Sequence, residues 1–163
     1  MTNEEHELLV RVLCECLPHN VICETEDGRG TLVSVEPISD LVYVQFRLNS
    51  DAEEYEIWDG TVKPYLRPMS SMTDKEIADA VKYMYNTDKV IYTSNGDDGF
   101  GFYAEVENGT RIRFNEIEFK LGYYGPKGID WLNKYHFDYR GLIPMGLALP
   151  ATKGMYEIVS SSI

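Results

Sequence analysis

"NVICETEDGRGTLVSVEPISDLVYVQFR" (Asn20–Arg47) decides the fold class, because here the hydrophobic period changes from helical to two. It holds two alternating runs, Thr31–Val35 and Leu41–Phe46. In the second, Val42, Val44 and Phe46 share one face, and Tyr43, Gln45 and Arg47 take the other, as the side chains of a half-buried strand do. Asp27-Gly28 and, further on, Asp59-Gly60 supply the positive-φ turn chemistry that reverses a chain between strands. Glu54–Trp58 and Thr61–Leu66 bring the count to about five short strands. So few short strands hide their edges best by closing up, so the spacing predicts a small antiparallel SH3-like β-barrel.

Upstream, Thr2-Asn3-Glu4-Glu5 has the form of a capping box. Leu9, Val12, Leu13 and Cys16 follow at helical spacing, while Glu4, Glu7, Arg11 and Glu15 fall largely elsewhere, and Pro18 stops the helix. Downstream, Pro68 ends the strand region, Ser70 and Ser71 make a polar link, and Thr73-x-x-Glu76 opens a second capped helix. Its stripe is Ile77, Ala80, Val81 and Met84, ending near Asn86. Strand signals return at Val90–Thr93. After the loop SNGDDG, Phe100–Val106 and Thr110–Phe114 flank the hairpin dipeptide Asn108-Gly109, with Asn115–Leu121 as a possible continuation. "GYYGPKG" breaks that pattern, and Ile129, Leu132 and Tyr135 start another helix. A turn over Asp138–Ile143, an apolar tail Leu147–Leu149 and a frayed "SSSI" finish the chain. The expected class is α+β: N-terminal helix and barrel over residues 1–69, then helix, β-hairpin and C-terminal helices over residues 70–163.

The totals narrow the function. The chain has 163 residues, and 44% hydrophobic with 12% aromatic content is enough for a packed core rather than a disordered segment. The net charge of −12 is uneven: residues 1–80 hold 6 Lys/Arg against 17 Asp/Glu, giving −11, and residues 81–163 hold 9 against 10, giving −1. Binding to free duplex DNA rests on neutralising phosphates, so the acidic half disfavours it. Acidity of this kind serves solubility or faces a basic partner. There is no run long and apolar enough for a membrane span, the start MTNEEHELL is acidic where a signal peptide is positive, and three cysteines make no disulfide framework. A reducing cytoplasm is the expected setting.

The candidate chemistry is thin. Cys14-x-Cys16-x-x-His19-x-x-x-Cys23 has metal-like composition, but Cys16 lies on the apolar helix stripe and no paired CxxC knuckle accompanies it, so buried thiols and a surface histidine explain it. Asn95-Gly96-Asp97-Asp98-Gly99 resembles a calcium loop only until its twelfth position, Val106, which cannot ligate. Ser70 and Ser71 lack a nucleophile elbow, and Gly99-Phe100-Gly101 precedes no helix. No motif calls for a cofactor. Two alternatives stay open. The first is a metal- or water-dependent hydrolase or nuclease using His136, Asp138 and Arg140. The second is single-strand nucleic-acid binding, with Tyr43, Tyr55, Trp58 and Tyr65 as a stacking platform on the barrel. The later basic residues Arg111, Arg113, Lys120, Lys127, Lys134 and Arg140, interleaved with Tyr123, Tyr124 and Tyr139, make a thin surface rather than a stripe.

"WLNKYHFDYRGL" (Trp131–Leu142) is the densest stretch. If it begins as helix, Ile129, Leu132 and Tyr135 or His136 face inward. Asp138 caps the next turn through the amides of Arg140 or Gly141, and Tyr139 and Arg140 cover the junction, where an arginine stacks on a ring or pairs with a carboxylate. Catalysis would need His136 and Asp138 to converge, although residues two apart on a helix project in different directions. With Tyr65 and Arg67 from the seam, the candidate binding residues are Tyr65, Arg67, His136, Asp138, Tyr139 and Arg140.

Two blocks, "KPYLRPMSSMT" (Lys63–Thr73) and "DWLNKYHFDYRGLIPMGLAL" (Asp130–Leu149), resemble in order and separation a family of short uncharacterised proteins from phages and prophage-like elements of gut Bacteroidales. The resemblance implies a mobile-element product working in a bacterial cytoplasm, and it carries no activity, ligand or catalytic residue. Pro144 departs from the family, whose similar members continue as helix there; the turn is expected to close by Ile143. The favoured function is a non-enzymatic accessory protein acting through contact with a phage or host protein.

Overall fold

A computed structural model describes residues 1–47, 51–88, 90–93, 101–105, 111–115 and 125–156, the stretches from 90 to 115 by their backbone only. It divides into two compact units, Met1–Pro68 with Asn133–Ile163, and Met69–Leu132.

In the first unit α1 (Asn3–Cys16) starts at the expected capping box: the Glu5 amide donates to Thr2 Oγ1 at 3.2 Å and the Thr2 amide to Glu5 Oε2 at 2.7 Å. A 3-10 turn, Leu17–His19, begins where Pro18 forbids further α-helix. The strands are β1 (Ile22–Thr25), β2 (Gly28–Glu36), β3 (Leu41–Gln45), β4 (Glu53–Glu56), β5 (Lys63–Leu66) and, far along the chain, β9 (Leu149–Pro150). β1 to β4 form an antiparallel meander, β5 pairs with the free side of β1, and β9 adds parallel to β5, giving the order β4-β3-β2-β1-β5-β9.

Gly30 is required where β2 crosses β3. A Cβ there would stand 2.5 Å from Val44 Cγ1 and 2.8 Å from the Gln45 carbonyl oxygen. Two residues on, the β2–β3 register shifts between Leu32 and Ser34, the signature of a bulge. Leu9, Val12, Leu13 and Cys16 from α1 enter one core with Val21, Cys23, Leu32, Val42, Val44, Ile57, Val62 and Leu66 from the sheet region. Leu142, Leu147 and Ala148 from the C-terminal segment join it.

The expected barrel does not close. The sheet stays open, and no ladder joins β4 to β5 or β9 among the described residues. Closure would need the free side of β5, and β9 occupies that side instead; the core is covered by α1 rather than by the sheet's own curl. β9 itself was not foreseen, because two residues, one of them Pro150, carry no periodicity. In place of the expected C-terminal helices beyond the last one, residues 142–146 form turns that lead into β9. The expected division assigned the whole of residues 70–163 to the second subdomain; here the segment from Asn133 onward belongs with β5 and its neighbours.

The second unit contains a 3-10 turn (Met69–Ser71), α2 (Asp74–Tyr85) and the antiparallel sheet β6 (Val90–Thr93), β7 (Gly101–Glu105) and β8 (Arg111–Asn115). α2 is capped as expected, with the Glu76 amide donating to Thr73 Oγ1 and the Thr73 amide to Glu76 Oε2; it buries Ile77, Ala80 and Val81 and stops at Asn86, which is left-handed. α3 (Gly125–Lys134) begins four residues before Ile129, inside the expected breaker, since Gly125 takes φ +57° and Pro126 fits a helix's first turn. The loop SNGDDG with its calcium-like positions, Phe100, Val106, the Asn108-Gly109 turn, residues 116–121, Lys120, Tyr123, Tyr124 and the tail SSSI lie outside the described residues.

Candidate functional site

The candidate residues lie where β5 runs out beside the segment that follows α3. The Arg67 amide donates to the His136 carbonyl at 2.7 Å, and the Asp138 amide donates to the Arg67 carbonyl at 2.8 Å, so Arg67 and Phe137 form a parallel bridge. The Arg67 guanidinium lies 4.2 Å from the centroid of the Phe137 ring, a cation–π contact that covers the bridge.

His136 leaves the helix in the left-handed region, φ +61°, with its amide donating to the Asn133 carbonyl. This conformation turns the ring inward, and only 6% of the residue is exposed. The ring stacks on Tyr156 with centroids 3.8 Å apart and 12° between planes. Nε2 lies 2.8 Å from the His19 carbonyl oxygen, which can only accept, so Nε2 carries the proton and Nδ1 is the bare nitrogen. Nδ1 is buried without a hydrogen-bond partner. Burial pushes the imidazole down to about 4, against the bond to His19, which favours the charged form. At neutral pH this ring is uncharged.

Asp138 is buried and its carboxylate works as a cap. Oδ1 accepts from the Leu142 amide at 2.7 Å and Oδ2 from the Ile143 amide at 2.8 Å. The acceptance of backbone amides was expected, but at Arg140 or Gly141. Gly141 takes φ +77° and bends the chain back, so the amides that reach the carboxylate are those that follow it.

Tyr139 and Arg140 both reach Glu15 on α1. Arg140 grips it with two bonds, Nε to Oε2 at 3.1 Å and Nη2 to Oε1 at 2.7 Å, and the Tyr139 hydroxyl donates to Oε2 at 3.0 Å. Such a planar fork is the geometry that arginine makes and lysine does not. Burial, with help from Glu15, raises the Tyr139 hydroxyl to about 12.

Tyr65 stands apart from this group. Its hydroxyl donates to Glu24 Oε2 at 2.5 Å and accepts from Arg29 Nε at 3.0 Å, with the Arg29 guanidinium 4.8 Å from the ring centroid. Its main chain is nonetheless tied to the junction, because the Tyr156 hydroxyl donates to the Tyr65 carbonyl at 2.7 Å and accepts from the Ile22 amide at 3.0 Å.

His136, Asp138 and Arg140 therefore bond three separate partners: the His19 carbonyl, the Leu142 and Ile143 amides, and Glu15. Sequence reasoning missed Glu15 and Tyr156. Glu15 was legible only as a charge off the helix's apolar stripe, and Tyr156, in an irregular tail, had no periodic signal. The stacking platform does not assemble: Val42 faces Tyr55 across β3 and β4 in the core, Tyr65 is 5% exposed, and Tyr43 lies on the opposite sheet face, beside Glu54. Cys16 and Cys23 are buried free thiols, and burial raises Cys16 to about 12. No group of three His, Cys, Asp or Glu among the described residues is arranged to hold a metal ion. No helix among the described residues is long and apolar enough to cross a membrane.

Comparison of the chain with known family profiles, curated proteins and solved structures finds no match.

Proposed function

We propose that this chain acts by binding another protein, as an accessory product of a phage or integrated element in a bacterial cytoplasm, and that residues 130–149 fasten its fold. The observation that carries the second half is the separate engagement of His136, Asp138 and Arg140. A general base must reach the proton it takes and have a pKa near the working pH; the His136 ring is stacked on Tyr156 and bonded to the His19 carbonyl, and burial lowers it to about 4. Exposed apolar side chains at one end of the sheet, Ile38 and Trp58, support the binding half. The resemblance of the two sequence blocks supports the mobile-element setting.

The binding half is tested by a pull-down from a Bacteroides host with the tagged chain. A partner retained through moderate salt is expected, and the loss of every partner there counts against it. The fastening half is tested by His136→Ala. A lowered melting temperature is expected. A variant that melts like the parent yet loses a measurable hydrolase or nuclease activity transfers the assignment to catalysis.

A further inference from the structure

At one end of the sheet, β4 pairs with β3 on one side and, among the described residues, with no strand on the other. Its side chains are acidic: Glu53, Glu54 and Glu56 are exposed and only Tyr55 turns into the core. The cross-strand register extends this acidity over the outer face. Glu36, Leu41 and Glu56 share one row, and Ser34, Tyr43 and Glu54 the next. No Lys or Arg stands in either row, and the Tyr43 hydroxyl is raised, chiefly by its bond to Glu54 and also by the charge of Glu36.

Acidic side chains on an edge strand are explained by protection against aggregation alone. The residues just beyond the strand are not. Trp58 is 45% exposed, and Ile38, at the tip of the β2–β3 turn, is fully exposed. Neither is a frayed end. Asp40, in the left-handed region at φ +59°, accepts the Trp58 amide at 3.1 Å and also bonds the His6 ring, which in turn packs on Trp58 with centroids 4.7 Å apart. The turn bearing Ile38 and the indole of Trp58 are thus fixed to one anchor. Repulsion of neighbours by the Glu side chains does not itself account for two large apolar groups held at fixed positions in water beside the edge.

We infer that the outer edge of β4 receives an extended, Lys/Arg-rich segment of the protein partner as an added strand, with an apolar residue of that segment seated on Trp58 and Ile38. Backbone hydrogen bonds to the open edge supply affinity that is indifferent to side chains. The Glu rows speed encounter and select a basic strand over a neutral or acidic one. This rests on the partner-binding reading above and names the partner's chemistry.

The probe is a short fluorescein-labelled peptide alternating Lys and Val and ending in Leu, titrated by anisotropy against the full chain. Binding that weakens with salt is expected, with none for the peptide carrying Glu in place of Lys. N-methylation of alternate peptide amides, which keeps the charge but blocks strand pairing, should abolish most of it. The double variant Glu54→Lys/Glu56→Lys should weaken binding by about tenfold, since each reversal both removes an exposed ion pair and adds a repulsion. Should that variant fail to fold, Trp58→Ala, which leaves every charge in place, should still weaken binding. Equal binding of the N-methylated or acidic peptide, or no binding of the Lys-Val peptide, overturns the inference. If the peptide fails while the pull-down still retains a protein, the edge assignment falls and the partner-binding reading stands.

Discussion

Asp138→Ala is the sharpest test of the structural role given to the C-terminal block. Asp138 is only 8% exposed and its carboxylate accepts two amide bonds, at 2.7 and 2.8 Å. Hydrogen bonds to a charged group contribute about 1.5–3 kcal/mol each. Leu142 is fully buried, so its amide is left without water when the acceptor goes; Ile143 is only half-buried, and its amide regains water in part. The worked loss is about 3–4 kcal/mol. With a urea dependence of about 2 kcal/mol per molar, the unfolding midpoint followed by far-UV circular dichroism should fall by roughly 1.5–2 M. Asp138→Asn keeps the shape but turns an NH2 group toward one of the two amides, and its midpoint should lie between those of the parent and the alanine variant. A fall of less than about 0.5 M for Asp138→Ala would refute the capping argument.

Three further outcomes follow from the same geometry. Glu15→Gln and Arg140→Gln, singly and together, should show a coupling of about 1 kcal/mol in a double-mutant cycle, a modest value because both side chains are about a quarter exposed (27% for Glu15, 24% for Arg140); additive effects would mean the fork contributes nothing. His136 has a folded value of about 4 against an ordinary 6.5, so the unfolded chain takes up its proton first as pH falls. Its contribution is complete above pH 6.5 and is lost between there and about 4, a swing of roughly 3 kcal/mol, and His136→Gln should flatten the stability profile across that window. Tyr156→Phe removes the donor to the Tyr65 carbonyl and the acceptor of the Ile22 amide, which should lower stability by about 1–3 kcal/mol and speed hydrogen exchange at Ile22; unchanged exchange would place that amide's partner elsewhere.

Local rules made several parts of this protein legible. Both capping boxes, the apolar stripes of α1 and α2, the stop at Pro18 and the alternation of β3 depend on neighbours within one turn or one strand, so residue identity and spacing suffice. The acceptor role of Asp138 was legible for the same reason, though its partners shifted by two residues because Gly141 redirects the backbone.

The strand count made a closed barrel attractive, yet only the tertiary structure decides which chain segment takes an open edge. That segment is Leu149–Pro150, more than 80 residues from β5, and nothing in two residues announces a pairing partner. The same holds for the junction. Glu15 is brought to Arg140, and Tyr156 and the His19 carbonyl to His136, across distances in sequence that no periodic pattern spans. Spacing along the chain encodes which face of an element is apolar; which distant groups satisfy its polar atoms depends on where the chain returns, and that is settled by packing.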